Sequence, residues 1–134
     1  MPRLYRVILP VSDIEAATRF YAALLEAPGT RVSSGRHYFD CGGTILACFD
    51  PRADGDAFDA RLNPDFIYFA VEDVDAVMER ARSLPCAAID EQVETQPWGE
   101  RCFYAKDRFG NPICFVDEKT VFTGQMIGRN LRSD

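Results

Sequence analysis

The chain repeats itself at a shift of 60 residues, and this repeat limits its possible folds more than any other feature. Val11-Ser12-Asp13-Ile14-Glu15-Ala16-Ala17 returns as Val71-Glu72-Asp73-Val74-Asp75-Ala76-Val77. Each copy reads as a helix start. In the first, either the Ser12/Glu15 capping box or Asp13 would satisfy the free N–H groups of the opening turn. Ile14, Ala17, Thr18, Tyr21 and Leu24 then mark one face at helical spacing, up to a stop at Pro28-Gly29. Val74, Val77, Met78, Ala81 and Leu84 repeat that face position for position, up to Pro85.

A second repeat lies in the turns. Asp40-Cys41-Gly42-Gly43 and Asp107-Arg108-Phe109-Gly110 each run Asp, two residues, Gly, and each leads into a short apolar strand closed by Asp. Gly43, and Gly110 with Asn111, supply positions that tolerate positive φ, and Pro112 stands at the first strand position, where a missing N–H does least harm. The shift has grown to 67 (Gly43 to Gly110), so the second half carries a seven-residue insertion, expected around Gln96-Pro97-Trp98-Gly99. Strands are expected at residues 4–9, 30–33, 36–40 and 44–49, then at 65–71, 87–93, 101–106 and 112–116. The result is a βαβββ unit written twice, an α+β chain with a mixed sheet. The expected organisation is a first module over 1–60, a second over 61–120 and a C-terminal tail over 121–134, all one structural domain. Residues 51–62, with Asp54-Gly55-Asp56, read as the surface linker.

Composition narrows the function. With 134 residues and 47% hydrophobic content the chain suits one compact unit, burying roughly two-thirds of its unfolded surface. No run approaches the ~18 apolar residues of a membrane span, and Met1-Pro2-Arg3 leads directly into strand-like sequence. Five cysteines without CxxC spacing suggest reduced thiols and a cytoplasmic setting. A net charge of −6 argues against nucleic acid and biases the surface field toward small cations.

Strand alternation then sorts the side chains. Val7, Leu9, Leu46, Cys48, Ile67, Phe69, Val71, Ile113 and Phe115 form one apolar face, expected beneath the helices. Arg6, Ile8, Ile45, Ala47, Phe49, Phe66, Tyr68, Ala70, Cys114 and Val116 form the other. A face meeting only water would be polar, and this one is not, so a ligand, another sheet or a partner chain must cover it.

The paired modules, their Val-Ser-Asp-Ile and Val-Glu-Asp-Val helix starts, and Asp107-Arg108-Phe109-Gly110-Asn111-Pro112-Ile113-Cys114-Phe115 together resemble the vicinal oxygen chelate superfamily over residues 4–118. That superfamily includes glyoxalase I, extradiol dioxygenases, fosfomycin-resistance enzymes and bleomycin-resistance binding proteins. The resemblance implies sheets curled into a cup with the helices on its convex side, and a homodimer. It also implies metal ligands, typically His, Gln or Glu, on the concave faces of the first and last strands of each module. Here those positions hold Arg6, Ala47, Phe66 and Cys114. Arg cannot ligate, Phe and Ala have no donor atom, and one thiolate does not hold a metal. No metal or other cofactor is therefore expected.

Three readings follow. The leading one is a metal-free binding protein that sequesters a planar or cationic organic compound, such as an antibiotic or metabolite, in a dimeric groove. The alternative is a glyoxalase- or dioxygenase-like enzyme, of lyase or isomerase chemistry, using Arg6, Tyr68 or Tyr104 in place of a metal. The third is a module whose cup its own side chains fill. The expected ligand contacts are Arg6, Ile8, Ala47, Phe49, Phe66, Tyr68 and Cys114, with Trp98 and Tyr104 at the rim; no catalytic residue is assigned. Each has a plainer reading. Arg6 either orients an anionic group or pairs with a carboxylate such as Glu118, Phe66 and Tyr68 either stack on a ligand or pack on a facing strand, and Cys114 is either a nucleophile or an inert buried thiol. His37, the one histidine, lies in another strand and reads as structural. Phe122, Met126 and Ile127 of the tail are candidates for docking on a partner subunit.

Overall fold

The computed structural model describes residues 1–124, so Met126 and Ile127 lie outside the described residues. The chain runs β1 (Arg6–Pro10), α1 (Ile14–Leu25), β2 (Thr30–Ser33), β3 (Arg36–Cys41) and β4 (Thr44–Phe49). It continues through β5 (Ile67–Val71), α2 (Val74–Arg82), β6 (Ala88–Ile89), β7 (Glu94–Thr95), β8 (Arg101–Lys106) and β9 (Pro112–Asp117), and a 3-10 turn follows at Glu118–Thr120. This is an α+β fold of two successive βαβββ-type units. The first sheet has the order β1-β4-β3-β2, the second β5-β9-β8-β6, with β7 also on β8. In each, the strand before the helix pairs in parallel with the last strand, and the remaining pairs are antiparallel.

Asp13 and Asp73 are the helix N-caps, accepting from Ala16 N at 3.1 Å and Ala76 N at 3.0 Å. Ser12 is therefore not the cap. The buried Asp50 adds to the start of α1, accepting from Ile14 N at 3.2 Å. Glu26 turns the chain out of α1 in the left-handed region, at φ 53°. Gly29, at φ 64°, lies so close to His37 that a Cβ would sit 2.6 Å from its Nε2. The His37 ring itself binds the Pro28 carbonyl at 2.9 Å and leans on Phe39, which is a structural role.

One core runs through both units. Leu9, Tyr21, Phe39 and Leu46 of the first join Phe69, Met78, Phe103 and Phe115 of the second. Arg80 on α2 donates to the Leu24 carbonyl at 3.0 and 3.2 Å, occupying an acceptor at the end of α1 that has no partner within the helix. Below the helices, Tyr21 reaches Asp107, and Asn111 donates to the Pro10 carbonyl at 2.7 Å.

Two expectations change. The strand expected at 87–93 holds only at Ala88–Ile89. At Asp90 the backbone N–H still donates to the Tyr104 carbonyl at 2.9 Å, but the Tyr104 N–H goes to the Asp90 carboxylate at 2.9 Å, a side chain in place of a ladder acceptor. The insertion is also divided. In register Lys106, not Asp107, stands where Asp40 does, a shift of 66. Six of the seven extra residues thus enter before β8 and the seventh in the turn itself. Asp40 and Asp107 consequently differ in role: the first is exposed and caps its own turn, the second is fully buried and binds α1.

Candidate functional site

The faces turned away from the helices carry the expected contacts in two groups. On the first sheet, Ile8, Ala47 and Tyr38 form one row across β1, β4 and β3. Ala47 is completely buried at its centre, whereas Ile8 is 42% exposed. Arg36 lies over the Phe49 ring, 4.3 Å from its centroid. Arg6 is exposed, donates to the Tyr38 hydroxyl at 3.1 Å and faces the rings of Tyr5 and Tyr38. Among the described residues it makes no ion pair, with Glu118 or with any other carboxylate. Exposure removes the need: water and two rings solvate the guanidinium.

On the second sheet Tyr68, Cys114 and Tyr104 share a row across β5, β9 and β8. Phe66 stands one residue before β5 and closes the group. The Phe66 and Tyr104 rings meet edge to face at 4.9 Å, and Tyr68 lies 6.4 Å from each. Phe66 and Tyr68 remain 37% and 56% exposed. Cys114 lies fully buried among Cys102, Val116, Tyr104 and Val121. Trp98 is brought to neither group. It is exposed in the loop after β7, its indole N–H on Glu100 at 3.0 Å.

Electrostatics in the second group favour neutral side chains. Burial, then the Cys102 thiol, pushes Cys114 far above its usual range, and burial does the same to Tyr104. Both stay protonated at neutral pH. Neither is poised as a nucleophile or base.

The donor set does not fit the metal that the resemblance implies. Arg6, Ala47 and Phe66 offer no ligand atom, and Cys114 is a buried neutral thiol. No cluster of three or more His, Cys, Asp or Glu exists among the described residues.

Sequence reading overlooked four contributors. Tyr38 and Arg36 become visible only when β3 is given its register against β4. Tyr5 precedes β1, yet its carbonyl accepts Ile45 N at 2.8 Å and prolongs the pairing. Val121 covers Cys114, although it falls in the segment taken as a tail. The signal for that cover was Asp117, which caps the 3-10 turn through Lys119 N at 2.9 Å.

Residues 3–115 match the family described as the Glyoxalase/Bleomycin resistance protein/Dioxygenase superfamily. No curated protein sequence matches the chain. Among solved structures, a glyoxalase/bleomycin resistance protein from Albidiferax ferrireducens is similar with a TM-score of 0.71 and 21% identity, over 84% of this chain and 96% of that one. A glyoxalase-related enzyme from Fulvimarina pelagi gives 0.71 and 18%, over 87% and 88%. Lactoylglutathione lyase from Agrobacterium tumefaciens gives 0.65 and 22%, over 87% and 94%. At these identities the likeness is one of fold.

Proposed function

Since the chain belongs to the Glyoxalase/Bleomycin resistance protein/Dioxygenase superfamily, we propose that it is a metal-free binding protein that holds a planar or cationic organic compound on its concave face, in a groove completed by a second copy. The observation that carries this reading is the group of Phe66, Tyr68 and Tyr104, in which Phe66 and Tyr68 are exposed and Tyr104 is half-buried beneath them. Clustered rings with two faces open to solvent are a surface that water disfavours and a flat or cationic ligand satisfies. The net charge of −6 supports the cationic class. The lack of donors at Arg6, Ala47 and Phe66 supports a role without metal. The protonated Cys114 counts against a nucleophilic thiol.

Thermal-shift screening of aromatic and cationic metabolites and antibiotics tests the proposal, because a ligand at a hundred times its Kd adds ~2.7 kcal/mol of stability. Phe66→Ala and Arg6→Ala should each weaken the hit at least about tenfold, ~1.4 kcal/mol. Normal binding by both variants would overturn the site. Light scattering at tens of micromolar should report a dimer, whose interface should bury more than ~1,200 Å2. A stoichiometric divalent ion in the purified protein would refute the metal-free reading.

A further inference from the structure

A small cleft of about 170 Å3 opens beside the rings of Phe66 and Tyr104, where the chain leaves β8 after β6. Whole-ligand sites take roughly 300–1,000 Å3, so this one suits a head group. Register fixes which side chains border it. Ala88 opposes Lys106, and the Asp90 N–H donates to the Tyr104 carbonyl at 2.9 Å, so Asp90 opposes Tyr104. Opposed residues of neighbouring strands share a face, as do alternate residues along one strand. The Tyr104 ring meets Phe66 and Tyr68 on the side away from the helices. Ala88, Asp90 and Lys106 therefore lie on that side with it, around the cleft that they line. Ile89 and Ala105, the pair between, turn into the core under the helices.

Two opposite charges border the cleft without pairing. The Asp90 carboxylate is held in place, because its Oδ2 accepts the Tyr104 N–H at 2.9 Å. Its Oδ1 accepts no hydrogen bond among the described residues, and neither Asp90 nor Lys106 makes an ion pair among them. Both residues are exposed. They occupy diagonal positions on neighbouring strands, roughly 7–8 Å apart, with the Phe66 and Tyr104 rings alongside. Such a span leaves room for one small group that carries both charges.

We propose that the cleft holds the head group of an aromatic α-amino acid, or of a zwitterion of the same form, with its ammonium at Asp90 and its carboxylate at Lys106. The flat body of the ligand then lies on Phe66 and Tyr68. This rests on the proposed use of the concave face for a planar compound, and narrows that compound to one bearing both charges. A cation alone is repelled by Lys106, and an anion alone by Asp90. A neutral planar molecule uses the rings and neither charge. The zwitterion satisfies all three elements.

Three probes share one indole body and differ in charge: L-tryptophan, tryptamine and indole-3-propionate. Calorimetry should show one equivalent of tryptophan bound, and each of the other two at least about fivefold weaker. Asp90→Asn keeps an oxygen for the Tyr104 N–H and removes the charge. It should weaken tryptophan at least about fivefold and leave indole-3-propionate no weaker. Lys106→Met should weaken tryptophan by as much and leave tryptamine no weaker. Phe66→Ala should weaken all three. The inference is overturned by no saturable binding of tryptophan, or by either singly charged probe binding as tightly. It is equally overturned by tryptophan binding that ignores Asp90→Asn or Lys106→Met. The two proposals fail separately. A screening hit that needs Phe66 but neither Asp90 nor Lys106 leaves the concave site standing and removes the head-group cleft. A hit indifferent to both Phe66→Ala and Arg6→Ala removes the concave site, and this inference with it.

Discussion

The Tyr21 phenol donates to the Asp107 carboxylate at 2.6 Å, and both side chains are fully buried. Separated by 86 residues, they join the helix of the first unit to the last turn of the second. The same carboxylate accepts from Phe109 N and Asn111 N through its other oxygen. One acid thus orders a turn and fastens it to the opposite unit.

Removing that hydroxyl should be costly. Tyr21→Phe leaves a buried carboxylate short of one hydrogen bond, and bonds to charged groups contribute about 1.5–3 kcal/mol. Urea unfolding should show a loss of that size. The effect should also depend on pH. Burial, then the Asp107 charge, holds the Tyr21 phenol well above its usual value near 10. Stability from a raised group is fully present below the unfolded value and is lost as pH climbs toward the folded one. The native protein should therefore lose up to about 1.4 kcal/mol per pH unit more than Tyr21→Phe does above pH ~10. Buried Cys48, pushed up to about 12, contributes alike to both proteins and cancels in the comparison.

Asn111 supports the same junction from the other side. Its Nδ2 reaches the Pro10 carbonyl at 2.7 Å, and its Oδ1 accepts Asn63 N at 2.9 Å. Asn111→Ala strands both partners. A buried unsatisfied group costs ~1–3 kcal/mol; these partners are half-buried, so the loss should be about 1–2 kcal/mol in chemical denaturation. Near-native stability would mean that water replaces the amide.

The helices and their caps were legible because their signals are local: Asp13, Asp73 and two apolar stripes lie within a few turns of chain. Sheet faces were legible for the same reason, since alternation needs no knowledge of a partner. Whatever depends on distant pairing was not. The Asp-x-x-Gly match hid a one-residue difference in the turn, because sequence does not reveal that Lys106 opposes Pro112. Tyr21 looked like one more apolar residue of a stripe, and nothing local links it to Asp107. At the candidate site, alternation put Phe66 and Tyr68 on one face, but their contact with Tyr104 follows from the β8–β9–β5 register. Ala47 and Cys114 read as ligand contacts, yet both are completely buried.

Two glycines separate backbone strain from crowding. Gly29 and Gly42 share nearly the same conformation, at φ 64° and 65°. A Cβ on Gly42 meets nothing within 4 Å, while one on Gly29 falls 2.6 Å from His37 and 2.8 Å from Phe39. Gly42→Ala should cost only the left-handed penalty, about 1–2 kcal/mol. Gly29→Ala should cost more, and the difference in melting measures the clash. Equal costs would mean that the His37 ring yields freely.

Covering of the second sheet by the segment that follows β9 can be read chemically. Thr120 holds the 3-10 turn in place, accepting Arg101 N at 3.0 Å and donating to the Asp117 carbonyl at 2.7 Å. Val121 then packs against Cys102, Cys114 and Val116. Cys114 is fully buried and its thiol is strongly raised, so alkylation requires an opening event. If that event is release of residues 118–121, Val121→Asp should speed alkylation of Cys114 at least about tenfold while Cys48, in the core of the first unit, keeps its rate. A tenfold change corresponds to ~1.4 kcal/mol removed from the local opening equilibrium. Iodoacetamide labelling read by peptide mass spectrometry separates the two thiols. Equal acceleration at both would indicate global destabilisation instead, and no change at either would show that Cys114 is reached by another route.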